Sequence, residues 1–224
     1  MDGIPSVQEI VDLAESRRLP AIALTDTNAL YGAMEFISGC RKAGIAPIIG
    51  AELALAGGHS IVLLAQSLQG YSGLCQLITR LQAAPDREAS LAHGLSMADL
   101  AQHTEGLIAL SGGRSGPLDA CLRDPRLHGD GTAQAESVAQ ELVNLFGQDR
   151  FFIELQIVEE GDAEKAAALQ SLADRLHLRT VATHDIHYLA PADAPHYQVL
   201  TAMRKGRHLK DLAQLADLSY PLED

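Results

Sequence analysis

The chain has 224 residues, 47% of them hydrophobic, and a formal charge of -12 at pH 7. That is enough apolar material for a sizeable core, and too much negative charge for sequence-independent phosphate binding by a basic face. There is no run of about 18 uncharged apolar residues, no secretory leader and no low-complexity tract, so a soluble, cytoplasmic protein without membrane contact is expected.

In chain order, the first signal is Ser6 with Glu9, a capping-box spacing that opens a helix carrying Val7, Ile10, Val11 and Ala14 on its apolar side. Strand-like runs follow at 21–26 (AIALTD), 46–55 (APIIGAELAL), 60–66 (SIVLLAQ), 106–112 (GLIALSG), 151–158 (FFIELQIV) and 180–185 (TVATHD). Helical periodicity from Thr132 to Phe146 puts Val138, Leu142 and Phe146 on one face, and the next helical segment does the same with Leu169, Leu172 and Leu176. Near-continuous apolar strands separated by helices predict a parallel sheet buried on both sides, hence an α/β fold in one domain. Pro85 to Ser96 and Asp124 to Thr132 read as the only long loops. Cys40, Cys75 and Cys121 are widely spaced, never form Cys-x-x-Cys, and are expected reduced and buried in helices.

Polar residues interrupt these strands near their ends: Asp26 after AIALT, Glu52 in IIGAEL, Glu154 in FFIEL, and His184, Asp185 and His187 in HDIHY. In a βα-barrel the loops at the carboxyl ends of the strands share one mouth, so such groups would converge there. Carboxylates and neutral imidazoles suit zinc, manganese or iron, and such metals generate hydroxide and neutralise phosphoester charge. Each residue alone also has a plain explanation. Asp26 in TDTNALYG suits a local turn, and a Glu at a strand end is commonly solvated. His59, His93, His103, His128, His177, His196 and His208 suggest nothing specific, and SGGRSG (111–116) matches no phosphate-loop spacing.

The stretches at 2–53 (DGIPSVQEIVDL through GAEL), 70–80 (GYSGLCQLITR), 105–113 (EGLIALSGG), 151–156 (FFIELQ) and 181–206 (VATHDIHYLAPADAPHYQVLTAMRKG) resemble the PHP (polymerase and histidinol phosphatase) domain. More narrowly, they resemble the amino-terminal PHP domain of bacterial DNA polymerase III alpha subunits, replicative or error-prone. The resemblance implies a distorted barrel of seven βα units, with metals at the carboxyl ends of its strands and phosphoester hydrolysis where the site is kept. It also implies that the sequence lacks the family's first strand, which bears a His-x-His pair, and retains only its trailing aspartate, Asp2. Either the true start lies upstream or the barrel closes differently. Of the other ligand positions, the resemblance keeps Glu52, Asp185 and His187, while Thr27 stands for a histidine beside retained Asp26, and Gly113 for a cysteine. His184 stands where the family often has asparagine, and Asp26 and His184 are read as neighbours of the ligands.

The ligand set carried over is thus Asp2, Glu52, Asp185 and His187, a partial set for a divalent zinc or manganese with incomplete occupancy or none, since a closed site needs its full count of donors. No catalytic residue is assigned. The ending LADLSYPLED resembles the passage into a polymerase palm, but no palm aspartates follow, so these residues alone cannot polymerise. Three classes of function stay open. The first is a noncatalytic PHP module of a DNA polymerase, partnered by the remaining polymerase domains, replisome subunits and DNA. The second is a metal-dependent phosphoesterase or 3′–5′ proofreading exonuclease using replacement ligands such as His93 and His184. The third is a stand-alone PHP phosphatase.

Overall fold

The structure is a computed structural model that describes residues 3–123, 131–158 and 162–206. Asp2 and most of the loop expected from Asp124 to Thr132 lie outside the described residues. The elements in order are α1 (Val7–Ser16), β1 (Ala21–Thr27), α2 (Ala33–Ala43), β2 (Ala46–Leu55), β3 (His59–Ala65), α3 (Leu68–Gln82), α4 (Arg87–His93), α5 (Met97–Ala101), β4 (Leu107–Leu110), α6 (Pro117–Arg123), α7 (Thr132–Phe146), β5 (Phe151–Leu155), α8 (Asp162–Leu176), β6 (Arg179–Ala182) and α9 (Ala194–Lys205).

The capping box predicted at Ser6 forms. The Ser6 Oγ accepts from the Glu9 backbone N–H at 3.3 Å, and the Glu9 carboxylate accepts from the Ser6 backbone N–H at 2.8 Å. It starts α1, whose Val7, Val11 and Ala14 are buried against α2 with Phe36 and Cys40. The region expected as a loop from Pro85 to Ser96 instead holds α4. The Asp86 side chain accepts from the Ala89 N–H at 2.9 Å, and Gly94, at φ +74°, closes the other end. An aspartate three residues ahead of its capped N–H is a legible start signal. The cysteines all lie in helices and none is in a disulfide, but only Cys40 is buried; Cys75 and Cys121 are half-buried.

Among the described residues six strands form one curled sheet, a half-barrel, in the order β1-β2-β3-β4-β5-β6. This bears out the expected α/β fold of barrel-like curl. The expectation of an all-parallel sheet needs correction: β1–β2, β4–β5 and β5–β6 are parallel, but β3 runs antiparallel to both neighbours. The cause is local. Only Ala56–Gly58 separates β2 from β3, and Gly57 and Gly58 take φ values of +91° and +79° that turn the chain directly back, leaving no room for the crossover helix that a parallel return needs.

The core follows from this layout. Leu53, Ile61, Leu63, Leu107, Phe151 and Ile153 from the central strands are fully buried against Leu74, Leu77 and Leu81 of α3 and Leu142 and Phe146 of α7. Each such side chain contributes about 1.5–3 kcal/mol by leaving water. The end strands differ. Neither β1 nor β6 contains a buried residue, and among the described residues each pairs on one side only. The sheet is anchored through its middle, and its curl brings the carboxyl ends of β1, β2, β5 and β6 toward a common mouth.

Candidate functional site

The mouth is built by residues at or just past the strand ends. On β1, Asp26 pairs in register with Ala51, and Thr27 with Glu52. The next residue, Asn28, takes a left-handed φ of +52°. Its N–H donates to the Glu52 carbonyl at 2.7 Å, its Oδ1 accepts from the Ala54 N–H at 2.9 Å, and its own carbonyl accepts from the Gln82 side chain at 2.8 Å. Asn28 therefore clamps the turn after β1 onto β2 and α3. Glu52 is half-buried, and its Oε1 accepts from the Ser60 hydroxyl of β3 at 2.5 Å.

Glu154 on β5 is the most enclosed acid of the mouth, only 4% exposed. Its Oε2 accepts from the Gly112 N–H at 3.1 Å, its Oε1 from the Gln156 amide at 3.3 Å and from the Thr183 hydroxyl, and its backbone N–H donates to the Ser111 hydroxyl at 2.9 Å. Burial pushes its carboxyl above the usual range. The Thr183 and Gly112 hydrogen bonds work against that rise, and the nearby charges of Glu52 and Asp185 add to it. Glu52, Glu154 and Asp185 thus share one electrostatic environment.

Strand β6 ends at Ala182, earlier than the run 180–185 predicts, so the HDIHY stretch lies in the loop beyond it. The Asp185 side chain is 60% exposed, and its Oδ1 lies 3.0 Å from His187 Nε2. The His187 ring stacks on Tyr197 of α9 with centroids 4.9 Å apart and planes 12° from parallel, and the His187 carbonyl accepts from the Ile4 N–H at 2.8 Å. His187 is therefore held from three directions, through its ring face, its carboxylate neighbour and its backbone.

Of the residues singled out in sequence, the structure brings Glu52, Asp185 and His187 to the mouth, with Asp26 at the adjoining strand end. His184 and Thr27 are exposed. His93 lines a separate pocket with Arg80, Ser90 and Asp99. Gly113 is buried against the Gln156 side chain. Glu154 was legible as a polar residue in a strand but did not enter the ligand set. Gln156 and Thr183 were not singled out, although Glu154 and Gln156 two apart in FFIELQ share one strand face. Among the described residues no three His, Cys, Asp or Glu side chains are arranged to hold a metal ion. Glu154 Oε1 already accepts from Gln156 and Thr183, its Oε2 from Gly112, and Glu52 Oε1 from Ser60, so this donor set does not fit a closed multinuclear metal site.

The curled half-barrel is shared with solved structures. The chain is similar to an amidohydrolase from Chromobacterium violaceum, with a TM-score of 0.57 and 17% identity over 86% of this chain and 85% of that one. It is also similar to a protein assigned as a metal-dependent phosphoesterase from Bifidobacterium adolescentis, with a TM-score of 0.54 and 14% identity over 83% and 84% of the two chains. At such identities the likeness speaks for the fold. The sequence is more specific: residues 1–157 match the PHP domain, and the chain belongs to that family. It is homologous to DNA polymerase III alpha subunits. It is 34% identical over 218 residues to the error-prone DNA polymerase of Symbiobacterium thermophilum, covering 91% of this chain and 20% of that one. It is 32% identical over 222 residues to the DNA polymerase III subunit alpha of Caulobacter vibrioides, covering 92% and 18%. The chain thus spans about a fifth of the length of these relatives.

Proposed function

We propose that this chain is a single PHP domain that serves a cytoplasmic DNA polymerase of the polymerase III alpha type as a structural module. On this reading its mouth is a degenerate metal site, and polymerisation, DNA contact and replisome partners belong to other polymerase domains. The observation that carries the reading is the occupation of the mouth by its own hydrogen bonds. Glu154 is enclosed by Gly112, Gln156 and Thr183, and Glu52 is held by Ser60. A hydrolase of this fold needs open, charged carboxylates that exchange water for substrate around a cation. A carboxyl that already accepts three hydrogen bonds from the protein, and whose protonated form is favoured by burial, is poorly suited to that work.

A second reading has one observation in its favour. The shared field of Glu52, Glu154 and Asp185 would be relieved by a single divalent ion, zinc or manganese, held on Glu52, Asp185 and His187, to which the family resemblance would add Asp2 as a ligand, with Asp26 and His184 as neighbours. That arrangement would support a phosphoesterase or a 3′–5′ exonuclease. The deciding experiment incubates the 224-residue chain with a mismatched primer–template and Mn2+ or Zn2+, and follows release of nucleotides from the 3′ end. The structural reading expects none. Release that disappears in Asp185→Ala would establish the second reading instead.

A further inference from the structure

We propose that the Gln156 carboxamide, seated in the space left by the missing side chain of Gly113, is a built-in clasp that takes the place of a cation at this side of the mouth. The clasp ties the exits of β4, β5 and β6 together. The proposal rests on the structural reading above and assigns the residue pair responsible for it.

The geometry is specific at both ends of the amide. Gln156 lies just beyond β5. Its Oε1 accepts from the Arg114 backbone N–H at 3.1 Å, in the turn after β4. Its Nε2 donates to Glu154 Oε1 at 3.3 Å and to the Thr183 hydroxyl, just past β6, at 3.1 Å. A carboxamide is neutral and carries a donor end and an acceptor end, which is what a gap between a backbone N–H and a buried carboxyl requires. A cation in the same gap would satisfy the carboxylate but face the Arg114 N–H with like polarity. The two occupants compete for Glu154 Oε1, whose lone pairs take the Gln156 Nε2 and Thr183 protons that a metal there would displace.

Gly113 makes this possible. It is buried at φ +51°, and a Cβ built there would lie 2.3 Å from Oε1, 2.4 Å from Cδ and 2.6 Å from Nε2 of Gln156. Real Cβ atoms do not approach that closely, so any side chain at 113 evicts the amide. Positions 113 and 156 therefore form a linked pair: a bare glycine with a seated glutamine, or a side chain at 113 with the glutamine displaced.

The test measures thermal unfolding of the 224-residue chain and three variants, Gln156→Ala, Gln156→Glu and Gly113→Cys/Gln156→Ala, each in EDTA and across a MnCl2 titration. Wild type should melt at the same temperature with and without Mn2+. Gln156→Ala should melt lower in EDTA and bind Mn2+ at least tenfold more tightly than wild type. The double variant should bind at least as tightly as Gln156→Ala. Gln156→Glu, which sets a carboxylate against Glu154, should be unstable in EDTA and recover with Mn2+, so it reports even if Gln156→Ala fails to fold. Equal Mn2+ affinity in wild type and all three variants would overturn the clasp. If wild type itself gains stability from Mn2+ while Gln156→Ala gains more, the clasp stands and the structural reading of the mouth fails. If neither responds and Gln156→Ala melts like wild type in EDTA, the clasp alone fails.

Discussion

Replacing Glu154 by glutamine probes the mouth with minimal change of shape. The carboxyl of Glu154 is pushed upward in the folded chain, chiefly by burial and further by Glu52 and Asp185. A folded-state pKa above the unfolded one means that the native chain holds the proton more tightly. The stability this brings is fully present below the unfolded value, about 4.3 for glutamate, and is lost as pH rises through the folded value. The amide that Glu154→Gln introduces would not titrate. Its oxygen can still accept from Gly112, and its NH2 can donate to the Thr183 hydroxyl, but its second N–H meets the Gln156 Nε2 donor. About one hydrogen bond is lost, close to 1 kcal/mol. The variant should therefore be about 1 kcal/mol less stable than wild type at the acid end, and the deficit should shrink as pH rises. Paired urea unfolding curves from pH 5 to 9 in EDTA measure this, and subtracting them cancels every group common to both chains. A deficit that stays constant or grows with pH would refute the reasoning, because it would mean that Glu154 is ionised and stabilised as an anion.

Further outcomes test other parts of the mouth. Gly112→Ala should lose at least about 3 kcal/mol of unfolding stability, since φ is +86° and the new Cβ would lie 2.1 Å from the Ser60 carbonyl oxygen; chemical denaturation would reveal it. Asn28→Ala strands the Ala54 N–H and strains a left-handed residue at φ +52°, costing about 2–3 kcal/mol. Asn28→Gly should recover the conformational share but not the hydrogen bond, which the same denaturation series separates. Asp162→Asn should cost about 2–3 kcal/mol. That carboxylate is 1% exposed, lies 2.6 Å from Lys165 Nζ and accepts from the Val158 N–H at 3.0 Å; a melt in 0.5 M NaCl should leave most of the loss in place, as expected for a buried pair.

The strands and helices with strong periodicity were legible from sequence: the run at 46–55 and the helix from Thr132 to Phe146 have the observed bounds. What periodicity could not give was direction, because an apolar run reads alike whether the chain returns through a helix or a hairpin. The antiparallel β3 was set instead by the short Ala56–Gly58 turn. Strand ends were overestimated at 106–112, 151–158 and 180–185, where the residues past Leu110, Leu155 and Ala182 leave the sheet to build the mouth. The candidate site was half visible. Glu52, Asp185 and His187 stood out by residue type, since carboxylates and imidazoles announce coordination chemistry. Gln156 and Thr183 did not, because an amide and a hydroxyl are common in loops and gain meaning only from the partners that the fold gives them. Gly113 was noticed as a departure from a motif, but its reason, room for the Gln156 amide, is a matter of tertiary contact.

Metal stoichiometry bears most directly on the claim that protein donors already fill the mouth. The purified 224-residue chain would be saturated with Zn2+ or Mn2+, passed through a desalting column and assayed for bound metal by mass spectrometry, with Asp185→Ala alongside. The account predicts well under one retained equivalent in both proteins. Two or more equivalents in wild type, lost in Asp185→Ala, would contradict it.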